Sequence, residues 1–386
     1  MTTSARHAIV AGTVFDGTRL HHDCAVVIEG DRIVELRHGV SSPGLGTMHA
    51  LPDGAWLAPG FIDLQVNGGG DVLLNDTPTA ETMHRIAAAH RRLGTTSLLP
   101  TLISDTPDKM RAALAATRRA VASDPSVLGI HLEGPFLSPE RPGVHNPAVF
   151  RVPSAADAAG LIEAQAHIKT GVMLVTLAPE RAPAGFVRKL AEAGIRVSLG
   201  HSAATYAQTK AALAEGLSGF THLFNAMPPL AGRAPGPVAA ALETPGAWFS
   251  MIVDGHHVAS PMLRLALRGA ARPLLVTDAM PPVGGRQPGF TLNGEAITVR
   301  DGRCARADGT LAGAAISMAD AVRNCVIMLG VPLKDALRYA STEPAIFLGL
   351  GDRLGRIAPG YRADLVAFNP DNLEVHKTWV AGKEGQ

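Results

Sequence analysis

A closed (β/α)8 TIM-like barrel of the metal-dependent hydrolase type, with a small β-sandwich domain built from both chain ends, is the fold this sequence predicts. Three observations lead there. Eight apolar runs recur through the middle of the chain, at 56–66, 96–102, 127–134, 172–179, 196–202, 219–227, 249–257 and 273–280. Segments of helix-compatible length separate most of them, and both chain ends alternate apolar and polar residues with the period of a strand. Near-continuous apolar strands alternating with helices argue for a parallel sheet buried on both faces. Eight such units argue for closure into a barrel rather than an open sheet. An open dinucleotide-binding sheet needs Gly-x-Gly-x-x-Gly after an early strand, and Gly68-Gly69-Gly70 does not supply it.

Taken in chain order, residues 7–36 alternate around Gly30-Asp31, which predicts a strand, a turn and a second strand. Helices are expected over Ala80–Leu93, Asp108–Ala122, Ala155–Ala166, Gly185–Ala193 and Thr205–Leu213. Between the sixth and seventh runs the helical pattern is weak, with Pro237–Leu242 the one candidate. Residues 290–312 read as hairpins and are placed as an excursion between the eighth strand and its helix, Met318–Leu329. Strand patterns return at 363–368 and 375–383. The chain therefore divides into a small β-domain, 1–55 with 360–386, and a catalytic barrel, 56–359.

Composition narrows the function. A net charge of +1 without runs of like charge gives no footprint for nucleic acid or a membrane surface. Aromatic residues make up 4%, too few for stacking platforms on single strands. Cys24, Cys304 and Cys325 cannot all pair and show no CxxC spacing, which suits free thiols in a reducing cytoplasm. The first residues lack a basic-then-apolar leader, and no apolar stretch is long enough to span a bilayer.

In this register polar residues fall at the C-terminal ends of six of the eight strands, where barrel enzymes build their sites. Strand one ends in Asp63-Leu64-Gln65-Val66-Asn67, strand three in His131-Leu132-Glu133, strand five in His201 and strand six in His222. Strand seven ends in Asp254-Gly255-His256-His257 and strand eight in Asp278. Any one of these histidines would more often be a satisfied structural residue. A bland origin would scatter polar groups over both strand ends, so their joint placement points to catalysis. Glu133, His201 and His222 are expected to bind one divalent metal, since two imidazoles and a carboxylate suit zinc, or alternatively ferrous iron, and leave an open position. Asp278 is cast as the base that takes a proton from water and delivers it to a leaving amine. His131, two residues before Glu133, is assigned a structural role.

These segments resemble a known family. His-Leu-Glu-Gly-Pro-Phe (131–136), Gly-His-Ser (200–202), Thr-His-Leu-Phe-Asn-Ala-Met (221–227), Asp-Gly-His-His-Val (254–258) and Val-Thr-Asp-Ala (276–279) are similar to the N-acetylglucosamine-6-phosphate deacetylases of the amidohydrolase superfamily. Ala-Pro-Gly-Phe-Ile-Asp (58–63) and Gly-Arg-Ile-Ala-Pro-Gly-Tyr-Arg-Ala-Asp-Leu-Val (355–366) match superfamily-wide signatures, so the likeness covers nearly the whole chain. Many superfamily members carry His-x-His after strand one and bind two metals; Gln65-Val66-Asn67 stands there instead. The resemblance implies a single-metal enzyme with Gln65 near the reacting water and a second ion weakly bound at most. It further implies that His145 polarises the amide carbonyl, and that Asn225, the backbone N–H of Ala226, His257 and Arg233 hold a phosphate. Arg233 would reach into the neighbouring subunit of a homodimer, while His256 is the less suitable partner. The implied reaction is hydrolysis of N-acetylglucosamine 6-phosphate to glucosamine 6-phosphate and acetate. Its rivals are a deacetylase for the galactosamine epimer, another amide hydrolase of the superfamily, and a catalytically dead barrel kept for binding.

Overall fold

The computed structural model describes residues 6–39 and 45–385. Its centre is a ring of parallel strands: Phe61–Val66, Thr95–Ile103, Gly129–Glu133, Val172–Leu177, Arg196–Leu199, Gly219–Phe220, Trp248–Met251 and Arg272–Leu275, hydrogen-bonded in that order. The ring closes between first and last. Val66 pairs with Ala279, whose carbonyl accepts from the amides of Asn67 at 2.9 Å and Gly68 at 3.0 Å. Below that seam, Thr277 donates its hydroxyl to the Asp63 carboxylate at 2.5 Å. Thr95–Ile103 and Val172–Leu177 are buried at every position, as strands covered on both faces must be.

Local sequence sets the helices that cover the ring. Thr79 caps Ala80–Arg91 by accepting from the Thr82 amide, and Pro107 opens Pro107–Ser123 at a position where its missing N–H costs nothing. Capping boxes at Ser154/Asp157, Thr205/Gln208 and Ser317/Asp320 start Ala155–Ile168, Tyr206–Ala214 and Met318–Leu329. Phe186–Glu192 follows the fourth strand. The weak interval does hold a helix, Gly236–Glu243, and Ser260–Ala266 follows the seventh strand. Leu333–Ala340 and Thr342–Phe347 have no counterpart in the sequence reading. They bring Phe347 under the ring against Trp248, with ring centroids 5.6 Å apart. None of the described helices is long and apolar enough to cross a membrane.

Two apolar runs resolve differently from expectation. The run 56–66 breaks at Gly60: Trp56–Pro59 joins the small sheet, and Phe61–Val66 is the barrel strand. A Cβ at Gly60 would lie 2.1 Å from Thr96 Oγ1, so only glycine lets the chain cross between sheets there. The run 219–227 is strand only through Phe220, because His222, Phe224 and Ala226 all adopt left-handed backbone that no strand continues through.

Residues from both chain ends form one eight-stranded sheet. Arg6–Phe15 is flanked by Leu20–Glu29 and by Trp56–Pro59, and Leu365–Phe368 brings in the C-terminal hairpin on the far side of Trp56–Pro59. The Gly30-Asp31 turn joins Leu20–Glu29 to Arg32–His38 as expected. The 290–312 excursion is a four-stranded antiparallel sheet, Gly289–Leu292, Glu295–Arg300, Arg303–Ala305 and Leu311–Ala314, lying between the eighth strand and Met318–Leu329.

One buried group ties this fold to pH. His90, on Ala80–Arg91, is fully buried, and its Nε2 donates to the Gly68 carbonyl at 3.0 Å. Burial pushes its pKa down to about 4, so the ring is neutral in the fold and protonates more readily in the unfolded chain. Unfolding therefore takes up a proton below the ordinary histidine pKa, and stability falls as pH drops from about 6.5 toward about 4. Urea titrations of the wild type and His90→Gln, at pH 7 and pH 5, should show the wild type losing about 2 kcal/mol more than the variant. Equal losses would mean that His90 is protonated in the fold.

Candidate metal and catalytic site

Each ring strand delivers its last side chains to one rim. Glu133 ends the third strand, His201 follows Leu199 by two residues, His222 follows Phe220 by two, and Asp278 lies just past the eighth strand. His201, His222 and Asp278 have φ values of 48°, 33° and 52°, a left-handed turn that carries each side chain inward off its strand end. Such backbone is costly for residues with a Cβ and clusters at functional sites.

Three ligand atoms converge there. Glu133 Oε1 lies 2.9 Å from His222 Nε2 and 3.3 Å from His201 Nε2, and the two imidazole nitrogens are 3.2 Å apart. Bonds of 2.0–2.1 Å to one tetrahedral ion would separate its ligands by about 3.3 Å, so this triangle fits a zinc-sized cation. His201 Nδ1 donates to the Arg141 carbonyl at 2.9 Å, which leaves the Nε2 lone pair free to coordinate, as metal-binding histidines require.

His145 is also close. With Glu133 and His201 it forms a group whose ligand atoms lie within 4.8 Å, but its nearest approach to Glu133 is 3.9 Å. The Ser104 amide donates to His145 Nδ1 at 3.3 Å, and an amide can only donate. The proton of a neutral ring is thus on Nε2, which faces the cavity as a donor and not as a ligand. Burial, and then the neighbouring His201 imidazole, push the His145 pKa down to about 3, so the ring stays neutral.

The two carboxylates sit in opposite electrostatic environments. Burial works to raise both. At Glu133 the close His201 and His222 imidazoles outweigh it and hold the group well below the usual carboxylate range. At Asp278 burial prevails, reinforced by the negative charge of Glu133, and lifts the pKa to about 6. One carboxylate is a permanent anion and the other is poised to exchange a proton. Asn67 Nδ2 donates to Asp278 Oδ1 at 2.6 Å, and Gln65 Nε2 donates to Glu133 Oε1 at 3.1 Å and Asp278 Oδ1 at 3.2 Å. Gln65 and Asn67 turn nitrogen toward the carboxylates, so their oxygens remain buried acceptors without a protein partner.

A cavity of about 410 Å³ opens above these groups. It is lined by Asn67, Glu133, His145, His201, His222, Asn225, Ala226, His257 and Asp278, together with Arg141 and with Thr310 and Leu311 of the excursion. His257 Nδ1 contacts Asp254 Oδ2 at 2.6 Å, which fixes the ring with Nε2 free. Arg233 is exposed and lines no part of this chain's own cavity, and His256 contacts the Asp301 carbonyl at 3.0 Å. His131 has both ring nitrogens engaged, with the Leu64 carbonyl and the Thr176 hydroxyl, which matches its structural assignment.

These features have known counterparts. Residues 56–385 match the Amidohydrolase family. The chain belongs to that family. This amidohydrolase is 38% identical over 370 residues to N-acetylgalactosamine-6-phosphate deacetylase of Shewanella sp. (strain ANA-3), covering 94% of this chain and 92% of the relative. It is 34% identical over 391 residues to N-acetylglucosamine-6-phosphate deacetylase of Haemophilus influenzae, covering 98% and 99%. It superposes on the crystal structure of N-acetylglucosamine-6-phosphate deacetylase from Pasteurella multocida with a TM-score of 0.93, at 35% identity and 98% and 99% coverage. The chain is accordingly a hydrolase acting on an amide.

Sequence reasoning left four contributors without a role. Asn67 stands two residues beyond Gln65 and shares its face of the strand, which was a usable signal. Ser104 follows the second strand, one of the two whose ends carried no assigned polar residue. Asp254 reads only as part of a strand end, and Arg141 only as the start of the loop that carries His145.

The ligand set has a direct test. Glu133→Gln should reduce bound divalent metal, measured by elemental analysis after dialysis, from about one ion per chain to near zero. His145→Asn should keep about one ion per chain, because its Nε2 carries a proton. Metal lost from His145→Asn but kept by His222→Asn would reverse the two assignments.

Proposed function

We propose that this amidohydrolase removes the acetyl group of N-acetylglucosamine 6-phosphate, giving glucosamine 6-phosphate and acetate. The observation that carries the reading is one cavity lined by two unlike groups of residues. The Glu133–His201–His222 triangle and Asp278 form the first, and Asn225, Ala226 and the Asp254-held His257 form the second. One divalent ion, zinc or alternatively ferrous iron, would be held by Glu133, His201 and His222, whose donor set suits both. When bound, the ion supplies Lewis acidity that lowers the pKa of water and polarises a carbonyl. Gln65 and Asn67 are engaged by the carboxylates through their amide nitrogens, which favours one ion over two.

The chain's own residues then divide the work. Asp278 takes a proton from the attacking water as oxygen adds to the acetamide carbon. His145 donates its Nε2–H to the developing oxyanion, a fixed dipole in a dry site. As the carbon–nitrogen bond breaks, Asp278 returns the proton to the departing amine, and acetate and the amino sugar remain. Asn225, the Ala226 amide and His257 would bind the phosphate. Arg233 would join them from a second copy, since it is exposed in a Pro/Gly-rich loop and absent from its own cavity. A homodimer follows from that role. The buried, unpaired cysteines suit a reducing cytoplasm.

A second reading, the galactosamine epimer, is favoured by the 38% identity to the Shewanella enzyme against 34% to the Haemophilus one. Acetate release from both phosphorylated sugars and from unphosphorylated N-acetylglucosamine, after chelation and metal add-back, separates the possibilities. Metal-dependent turnover of the gluco phosphate in preference to both others is expected. Preference for the galacto phosphate would transfer the assignment to the epimer. In the same assay Asp278→Asn should lower kcat by about 100- to 10,000-fold with bound metal retained. Near-normal turnover of that variant would remove Asp278 from the mechanism.

A further inference from the structure

Arg141 is the one arginine lining the described cavity, and no step above uses it. It lines the same cavity as Asn225, Ala226 and His257, the residues assigned to phosphate in the proposed function, on which this inference rests. The side chain is half-buried, and its Nε is buried with no partner. Among the described residues its guanidinium makes no ion pair and no hydrogen bond. Arg151 pairs with Asp157 at 2.6 Å, Arg323 with Asp320 at 2.6 Å and Arg306 with Glu295 at 2.9 Å. Arg181, Arg196 and Arg356 share with Arg141 a half-buried side chain and an unpartnered Nε, but Arg141 alone of these lines the cavity. Glu140 also lines the cavity yet forms no ion pair with Arg141. A guanidinium drawn partly out of water without an acceptor is unfavourable unless an anion completes it.

The loop that carries Arg141 is anchored. Its amide donates to the Ser138 carbonyl at 3.0 Å, its own carbonyl accepts from His201 Nδ1 at 2.9 Å, and the Ser138 amide donates to the His201 carbonyl at 2.9 Å. Two contacts to one histidine of the catalytic rim fix the backbone from which the side chain enters the cavity. The neighbouring Pro142 and the buried Val144 and His145 restrict the same stretch. The cation is thus presented from a held backbone and left without a partner inside the protein.

We propose that Arg141 is this chain's own phosphate-recognising residue, and that it sets selectivity for phosphorylated over neutral amino sugars. A guanidinium offers forked N–H donors to phosphate oxygens, so it complements the single donor of His257 and the amide of Ala226. The site of each subunit would then hold an arginine in cis whether or not Arg233 arrives from a second copy.

The test is steady-state kinetics of metal-loaded wild type, Arg141→Ala and Arg141→Lys on N-acetylglucosamine 6-phosphate and on the unphosphorylated sugar. Inhibition by inorganic phosphate is measured alongside, with metal content and melting temperature confirming that each variant is folded. Arg141→Ala should raise KM for the phosphorylated sugar about 10- to 100-fold, the worth of a charge-assisted hydrogen bond, with a far smaller change in kcat. It should weaken phosphate inhibition by a similar factor, and Arg141→Lys should recover part of both. A selective wild type matched by an equally selective, equally phosphate-inhibited Arg141→Ala overturns this inference alone. So does a fall in kcat with KM unchanged, which would mark a loop that acts only by positioning His201. A wild type indifferent to the phosphate overturns the proposed function, and this inference with it.

Discussion

Closure of the strand ring between Val66 and Ala279 is the constraint on which the site depends. Asp278 belongs to the end of the ring and Gln65 and Asn67 to its beginning, so the hydrogen bonds among them exist only because the two edges meet. The Ala279 carbonyl, bonded to the Asn67 and Gly68 amides, fixes the separation of these residues to within a hydrogen bond. Beneath them Asp63 and Thr277 repeat the tie one layer lower. Without closure at this seam Asp278 would lose its hydrogen bonds from Gln65 and Asn67.

Given closure, one rim can hold two carboxylates in different states. Glu133 faces two imidazoles and stays ionised, while at Asp278 burial and the charge of Glu133 outweigh the Asn67 donor and lift the pKa to about 6. Neither state follows from the residue type. Both follow from which neighbours the strand order supplies, and adding a formal charge beside either would disturb the other. The same holds for the imidazoles: His201 presents a lone pair because a carbonyl takes its other nitrogen's proton, and His145 presents a proton because an amide occupies its other nitrogen.

Much of this was legible in the sequence, and the gaps have physical causes. The strand ends could be read because a buried parallel sheet demands unbroken apolar runs, so that Glu133, His201, His222 and Asp278 stand out as exceptions to them. The break at Gly60 could not be read, since the crossing is forced by Thr96, which is distant in sequence. Gly236–Glu243 is short and carries Pro237, so its helical pattern is faint until packing supports it. Ser104 and Asp254 act by gripping another side chain, and a residue's grip is a property of three-dimensional neighbourhood that spacing along the chain does not encode. The likeness to the deacetylases supplied His145 and the phosphate residues, which no periodicity in the sequence would have singled out.

The four-stranded sheet at 289–314 holds itself together by its own hairpins, yet lends Thr310 and Leu311 to the cavity wall. It is joined to the ring at Ala314, which bridges Ala279, donates its amide to the Asp278 carbonyl at 3.0 Å and accepts from the Met280 amide at 3.0 Å. Its Leu292, Ile297 and Cys304 also pack with Ile103 and Met280. A change in the length of this insert therefore moves the cavity wall and the backbone of Asp278 together.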